Sequence, residues 1–426
     1  MTELKEYQYA ENGYQLHIIP TKKFKTNMIM VRFLSPLRRE NATKRALLPF
    51  VLQKGTKEFP SERLLRIKLD ELYGAQLSVD SSKKGENLLI TLRISFVNEK
   101  FIQNNTSLLT EVLHLLRQIL LEPNGTEHAF LPELVAKEKN TLRQKIESIK
   151  DQKMQYANMR LIDEMCKGEP YETHVHGYLE DLDSVNENNL YDEFIAMIQH
   201  DQMDVYALGD LHVEKTKEAI GKVLTFSREP KHESPLSNHR VHIDEVKEIK
   251  EAQKIQQGKL QIGFRTNTTF KDDDYFALQI YNGLFGGFPH SKLFMNVREK
   301  HQLAYYAASR FESHKGLLLV FSGIAPQSFD KAKEIILEQV EEMKKGNFTE
   351  EQLEETKRLT VHQLKETLDN PYGIVELMYH QVLAEKNMSP EEMFAALEKV
   401  TKNDLIALAE KIELDTIYFL TSEGDQ

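Results

Sequence analysis

The fold is decided by two stretches of sequence, FPSERLLRIKLDELYGAQLSVDSSKKGENLLITLRIS from Phe59 and FPHSKLFMNVREKHQLAYYAASRFESHKGLLLVFSG from Phe288. Each pattern predicts a helix followed by two strands, with a polar turn at Gly85 in the first stretch and at Gly316 in the second. Two more helical patterns follow each stretch, and the later ones end near Asp151 and Asp369. This order of elements predicts two similar halves, each of roughly 200 residues.

The strand pattern is clearest in LLITLRISF, from Leu88 to Phe96, where apolar residues alternate with mixed ones. This period of two is typical of a half-buried strand. Long amphipathic patterns such as PELVAKEKNTLRQKIESIKDQ contain no internal glycine or proline and predict helices. The fold class is therefore predicted to be α+β, with antiparallel sheets backed by helices.

A polar stretch separates the two halves. Residues 227–248, SREPKHESPLSNHRVHIDEVKE, carry proline, serine, histidine and charge without an apolar period, which is typical of a linker. The predicted organisation is an N-terminal domain at 1–226, a linker at 227–248 and a C-terminal domain at 249–426. We interpret the linker histidines, His232, His239 and His242, as solvated rather than metal-binding.

Composition excludes several classes of function. The chain of 426 residues has a net charge of −11, and its basic residues are interspersed with acidic ones, so a nucleic-acid partner is not expected. A single cysteine, Cys166, excludes an internal disulfide and indicates a reducing compartment. The apolar run from Leu108 to Leu121 is too short and too charged to span a bilayer, and the first residues have no secretory pattern. We therefore expect a cytoplasmic protein without a membrane partner.

Several motifs together carry a resemblance to a known family. They are the stretch RALLPFVLQKGT at Arg45–Thr56, the segment LYGAQLSVDSS, the helix EKNTLRQKI, ALGDL at Ala207–Leu211 and the block GLFGGFPHSKLFMNVREKHQLAYYAASRF. In these features the chain resembles the pitrilysin/insulinase family of metallopeptidases, in its short, two-domain, mitochondrial-processing-peptidase-like branch. The resemblance covers nearly the whole chain and implies a LuxS/processing-peptidase-like metallohydrolase fold.

The resemblance also shows what the chain lacks. Active members carry His-x-x-Glu-His before the KGT sequence, because histidines at i and i+4 bind one zinc while the glutamate takes a proton from the bound water. The corresponding positions here are Ala46, Pro49 and Phe50, and the more distant glutamate ligand corresponds to Lys145. None of these side chains serves that chemistry, so no metal and no cofactor is expected in this chain. Pro49 also predicts a helix that is shortened, kinked or started later.

Two other groups of residues have a partial metal-site pattern. The sequence Asn124-Gly-Thr-Glu127-His128 follows a proline and contains Asn-Gly, which predicts a turn rather than a helical ligand face. His174 and His176 form a possible weak surface chelate without a carboxylate. We interpret both as incidental.

The second half retains a pair of residues that the resemblance links to catalysis. The family's C-terminal domain supplies an arginine and a tyrosine that stabilise charge on the substrate carbonyl oxygen, and VREKHQLAYY matches that motif with Arg298 and Tyr305. Gln302 stands where relatives usually have glycine. From spacing alone, a solvated helical arginine and a core tyrosine remain alternatives.

Together these features give three hypotheses. The first is a non-catalytic subunit that pairs as a heterodimer with a homologous zinc peptidase bearing the intact motif; zinc is then held only by the partner, and unfolded peptides bind as an added strand. The second is a scaffold or assembly factor, and the third is an active peptidase with a rearranged site. The sequence argues strongly against the third. The glycines of GLFGGF, at 283–288, suit either close approach of a peptide backbone or a turn between helices.

Overall fold

The structure is a computed structural model that describes residues 4–102, 107–230 and 241–423. It divides into two compact units. The first comprises Met1–Ser148 with Thr173–Leu236, and the second comprises Ile149–Glu172 with Ser237–Gln426.

The first unit is built on a six-stranded sheet with the order β1-β2-β6-β3-β5-β4. Its strands are β1 Tyr7–Glu11, β2 Tyr14–Pro20, β3 Thr26–Pro36, β4 Gln76–Lys84, β5 Asn87–Val97 and β6 Gln202–Gly209. Its helices are α1 Ala42–Leu52, α2 Glu62–Glu71, α3 Leu108–Leu121, α4 Pro132–Ile149, α6 Leu179–Leu182, α7 Glu187–His200 and α8 Val213–Val223. The core lies between one face of this sheet and the helices, where α1 and α3 contribute Leu47, Val51, Val112 and Leu116.

The second unit is built on a five-stranded sheet with the order β7-β11-β8-β10-β9. Its strands are β7 Lys247–Gln253, β8 Gly258–Arg265, β9 Ala304–Glu312, β10 Leu317–Ile324 and β11 Glu413–Ser422. Its helices are α5 Lys153–Met165, α9 Tyr275–Asn282, α10 Phe329–Lys344, α11 Glu350–Thr367, α12 Pro371–Ala384, α13 Pro390–Lys399 and α14 Lys402–Lys411. Two π-helical segments, Gly283–Gly287 and Phe294–Lys300, follow α9.

The two sheets share one topology, which confirms the predicted pair of similar halves. Apart from its extra strand β1, the first sheet has the same strand order and the same strand directions as the second. In this comparison β4 and β9 are equivalent edge strands. The α+β class is also confirmed, but the sheets are not purely antiparallel. β2 pairs with β6 and β7 pairs with β11 in parallel, which the long intervening chain permits because parallel strands require a crossover connection.

The helix α5 lies in the second unit, whereas the sequence placed it in the N-terminal domain. Its residues Leu161 and Met165 share a buried cluster with Leu319 and Tyr418 of the second sheet. A Cβ atom at Gly263 would lie 2.5 Å from the sulfur of Met165, so the glycine allows this helix to approach the sheet. The amphipathic period showed that α5 has an apolar face but did not indicate which sheet that face covers.

A buried arginine ties the end of α5 to the second sheet. Arg265 of β8 donates to the carbonyl of Met165 at 2.7 Å, to Glu169 at 2.6 Å and to Asp415 at 2.8 Å. A buried guanidinium with three acceptors is well satisfied. This network explains why residues 149–172 group with the second unit.

Two other local predictions differ from the structure. β5 is not half-buried, because Leu89 and Thr91 on its second face are only 1% and 2% exposed. β7 begins at Lys247, inside the predicted linker. The linker residues 231–240, with His232 and His239, lie outside the described residues.

Candidate functional site

α1 carries the positions where active relatives hold zinc, and it is a continuous helix. It runs from Ala42 to Leu52 with Pro49 inside it, so the predicted shortening or later start is wrong. Pro49 cannot donate to the carbonyl of Arg45, a loss that costs about 3 kcal/mol in a helix interior. Burial of nine of the eleven α1 residues offsets that loss, and the Gln53 side chain donates to the Pro49 carbonyl at 2.7 Å.

A buried ion-pair network that the sequence analysis missed also fixes α1. Arg45 pairs with Glu193 and with Asp201, in each case at 2.5 Å, and all three side chains are buried. Although burial opposes it, the charge of Arg45 lowers the pKa of Glu193. These contacts attach α1 to the middle of α7 and to Asp201, the residue that follows α7. The helix that carries the motif positions is therefore retained although the metal ligands are not.

The four degenerate zinc-site positions come together in the first unit. Ala46 is 2% exposed, Pro49 is buried and Phe50 is half-buried on the same helix. The ammonium nitrogen of Lys145, on α4, lies 5.4 Å from the centroid of the Phe50 ring. Methyl, pyrrolidine and phenyl groups have no ligand atom, and an ammonium repels a cation. The side chains at these four positions therefore do not fit zinc; we call them, with the space they border, the vacated metal position.

Histidines near this position do not replace the ligands. Burial, followed by the positive charges of Lys145, His174 and Lys83, lowers the pKa of His176 to about 4. The His174 ring stacks on Tyr178 with centroids 4.7 Å apart. Across the described ranges 4–102, 107–230 and 241–423, no group of three or more His, Cys, Asp or Glu residues is arranged to hold a metal ion.

The segment with the partial metal-site pattern at Asn124–His128 is a turn, as predicted. The amide of Thr126 donates to the carbonyl of Ala129 at 2.7 Å, and Gly125 forms an isolated bridge with Phe130. Asn124 is buried and donates to the carbonyl of Pro60 at 3.2 Å. Its role is to hold two loops together.

In the second unit, Arg298 lies on the π-helical segment Phe294–Lys300, whose last three residues are exposed. Its side chain is 44% exposed, with Nε 3.6 Å from a carboxylate oxygen of Glu299. The guanidinium carbon lies 4.6 Å from the centroid of the Phe294 ring. Both neighbours belong to the same segment, so the arginine is oriented locally and its side chain stays partly exposed.

Tyr305 is the most exposed large hydrophobic residue that the structure describes, at 76%. Strand β10 pairs Gly323 with Tyr306 and Ile324 with Ala304, which leaves Tyr305 as the extra residue of a β-bulge. A β-bulge changes the direction in which a side chain points, and bulges are frequent beside active sites. The alternative of a core tyrosine is thus wrong for Tyr305. The neighbouring Tyr306 differs, because it is half-buried and its hydroxyl lies 3.6 Å from the sulfur of Met154.

The turn between Arg298 and Tyr305 keeps the geometry that glycine would give. Gln302 has a φ of 52°, in the left-handed region, which costs a non-glycine residue about 1 to 2 kcal/mol. The amide of Leu303 donates to the carbonyl of Val297 at 3.0 Å. The start of β9 is therefore fastened to the helical segment that carries Arg298, despite the substitution.

The glycines of GLFGG have a packing role. A Cβ atom at Gly286 would lie 2.7 Å from the backbone nitrogen of Ser309 in β9, and one at Gly283 would lie 2.6 Å from the Thr356 methyl in α11. These contacts are closer than a side chain permits. The glycines thus let the π-helical segment Gly283–Gly287 pack against both elements.

The described residues form two related α+β units. The first unit retains the helix that carries the zinc-binding motif in metallopeptidases, but the zinc ligands are missing from it. Comparisons agree with this class. A family model described as "Peptidase M16 inactive domain" matches residues 184–360. No helix in the described part of the chain is long and apolar enough to cross a membrane.

Three relatives illustrate the likeness. The chain is 46% identical to "Probable inactive metalloprotease YmfF" of Bacillus subtilis, over 99% of this chain and 98% of that protein. It is 25% identical to "Antilisterial bacteriocin subtilosin biosynthesis protein AlbE" of Bacillus subtilis, over 64% of this chain and 68% of that protein. A conserved protein from Enterococcus faecalis V583 superposes with a TM-score of 0.92 at 31% identity, over 98% of this chain and 99% of that one.

The chain therefore belongs to the M16 peptidase family, which confirms the resemblance to pitrilysin/insulinase-type enzymes. Within the family it is an inactive homologue and not a peptidase in its own right.

Proposed function

We propose that this protein is the non-catalytic subunit of a heterodimeric zinc peptidase. Its partner is a homologous chain with an intact His-x-x-Glu-His motif, which alone binds zinc. In the assembled enzyme, Arg298 and Tyr305 of this chain contact the peptide near the bond that the partner cleaves. Their donors stabilise the negative charge that develops on the carbonyl oxygen.

The observation that carries this proposal is the exposure of Tyr305. A tyrosine that is 76% exposed on a bulge contributes little to the core. Among the described residues, the side-chain contacts of Arg298 are with Glu299 and Phe294 of its own segment. Two polar groups kept accessible on a fixed turn, in a chain whose zinc-ligand positions hold Ala46, Phe50 and Lys145, suit a role in another subunit's reaction.

The sheet edges support a peptide as the ligand. β4 and β9 are both edge strands in the described sheets, and an edge offers unpaired backbone groups to an extended chain. Tyr305 belongs to β9 itself. Unfolded peptides, which present their backbone, fit such an edge better than folded proteins do.

The proposal is tested by substituting the two residues in the assembled pair. Tyr305→Phe and Arg298→Ala should each lower kcat about 100-fold, the usual effect of removing one such donor, while the pair still assembles. Tyr306→Phe and Lys300→Ala are matched controls, since they remove a hydroxyl and a charge from neighbouring positions, and they should retain activity.

Full activity of both Tyr305→Phe and Arg298→Ala in an assembled pair would refute the shared-site role. The alternative of a scaffold or assembly factor would then be favoured.

The related protein AlbE is named as a biosynthesis protein, and this name supports a role of the present chain in the synthesis of a product. A location in the cytoplasm is part of the proposal, because a chain with a single cysteine forms no internal disulfide, as is usual for proteins of reducing compartments.

A further inference from the structure

The backbone that carries Arg298 is fixed in the second unit. In the π-helical segment Phe294–Lys300, the amide of His301 donates to the carbonyl of Asn296 at 3.2 Å. The Asn296 side chain also donates to Gln339 of α10 at 2.9 Å, which attaches the segment to that helix. An arginine side chain has several rotatable bonds, so a fixed backbone does not by itself order the guanidinium.

Two side chains in the described ranges contact the guanidinium of Arg298, and they differ in strength. Nε lies 3.6 Å from a carboxylate oxygen of Glu299, which is beyond hydrogen-bond distance, and the two side chains are 44% and 51% exposed. An exposed pair of this kind adds little. The guanidinium carbon lies 4.6 Å from the centroid of the Phe294 ring, within the range of a cation–π contact. Because the ring is half-buried, it offers a better fixed surface than the Glu299 carboxylate does.

We propose that Phe294 is a positioning residue whose ring holds the Arg298 guanidinium ready to donate to the substrate carbonyl oxygen. The N–H groups of a guanidinium lie in its plane, so a ring against its face leaves the donors at its edge available. A donor that is oriented before the reaction begins stabilises developing charge without the cost of reorganisation. The inference rests on the proposed function, because only an arginine that acts in the partner's reaction needs such positioning.

The contact itself is measured by NMR in the isolated full chain. An aromatic ring current shifts the resonances of protons over the ring face, so the Nε–H signal of Arg298 should lie upfield in the wild type. Phe294→Leu should move that signal to the position of an exposed arginine, and Arg298→Ala assigns it by removing it. Phe276→Leu, at a half-buried phenylalanine of α9, is the matched control and should leave it unshifted. The same Arg298 signal in the wild type and in Phe294→Leu would overturn the proposal.

The consequence for activity is measured in the assembled pair. Phe294→Leu should lower kcat about threefold to fivefold, the loss expected for one exposed cation–π contact, and should leave KM almost unchanged. Phe294→Tyr keeps an aromatic face and should retain the wild-type kcat, as should the control Phe276→Leu. Urea denaturation shows whether each variant is folded.

A double-mutant comparison separates positioning from direct contact with the substrate. If the ring acts through Arg298, Phe294→Leu should cause no further loss of kcat when Arg298 is already replaced by alanine. An equal loss in both backgrounds would show that the ring acts independently of the arginine, and this result would overturn the proposal.

The outcomes also distinguish this inference from the proposed function. Lower activity of Arg298→Ala together with full activity of Phe294→Leu would overturn the positioning role and leave the shared site intact. Full activity of both Arg298→Ala and Tyr305→Phe would refute the proposed function, and the positioning role with it.

Discussion

The stability of the first unit should depend on pH through His17. This buried side chain lies between two carboxylates, 2.8 Å from Glu6 and 3.3 Å from Asp204, and its ring stacks on Tyr206. Burial by itself lowers the pKa of His17, but the hydrogen bonds to Asp204 and Glu6 and their charges outweigh it and raise the pKa to about 9. The side chain is therefore charged in the folded protein at neutral pH.

The sign of the effect follows from proton linkage. An unfolded histidine has a pKa of about 6.5, so the folded state binds the proton more tightly between about pH 6.5 and 9. The stabilisation from the raised pKa is complete below about pH 6.5 and is lost as the pH rises through about 9. At about 1.4 kcal/mol per pKa unit, it amounts to about 3 kcal/mol.

Urea denaturation of wild type and His17→Gln at about pH 6, 7.5 and 9.5 measures this contribution. We expect the difference in the free energy of unfolding to shrink by about 3 kcal/mol from the lowest to the highest pH. His362→Gln is the matched control for removal of a histidine beside a carboxylate, because His362 lies 3.3 Å from Glu366 but is 67% exposed, where an ion pair contributes little. A difference between wild type and His17→Gln that stays constant with pH would refute the reasoning.

Two further predictions concern the candidate sites. Gln302→Gly should raise the free energy of unfolding by about 1 kcal/mol, because glycine adopts the left-handed φ without strain. Gln302→Ala keeps a Cβ atom at that φ and should not raise it. Equal denaturation midpoints for the two variants would contradict the idea that the backbone at residue 302 is strained. Restoring all four groups of the vacated metal position should give about one zinc per chain by mass spectrometry, because the α1 frame is intact, whereas single substitutions should give none. The four substitutions are Ala46→His, Pro49→Glu, Phe50→His and Lys145→Glu. A folded fourfold variant without zinc would show that these positions are not the counterparts of the ligands.

The sequence predicted those features that depend on local patterns. The alternation in β5 and the helical period of α4 and α11 predicted elements that are present, and the order of elements around Phe59 and Phe288 predicted the shared topology. The missing ligands at Ala46 and Phe50 were also evident, because a motif with a fixed i, i+4 spacing is read directly from the chain.

Features that depend on tertiary packing were not predicted. Pro49 lies inside a continuous helix because burial in the core outweighs a missing hydrogen bond, and helix propensity does not report burial. The placement of α5 depends on the small Gly263 and the buried Arg265, which are distant in sequence.

The bulge at Tyr305 is a matter of register rather than of local pattern. It becomes apparent only when β9 is paired with β10. The sequence therefore left a core tyrosine open as an alternative, and the exposure of the side chain in the structure decides against it.

In the role proposed here, this chain is the zinc-free half of a peptidase pair. The most direct test is to purify the tagged chain from its own host under native conditions and to determine the mass, composition and zinc content of the complex. We expect a one-to-one complex with a homologous chain that bears His-x-x-Glu-His, in which all zinc belongs to that partner. Recovery of the chain only with itself or in an unrelated assembly, or with zinc bound to the isolated chain, would contradict it.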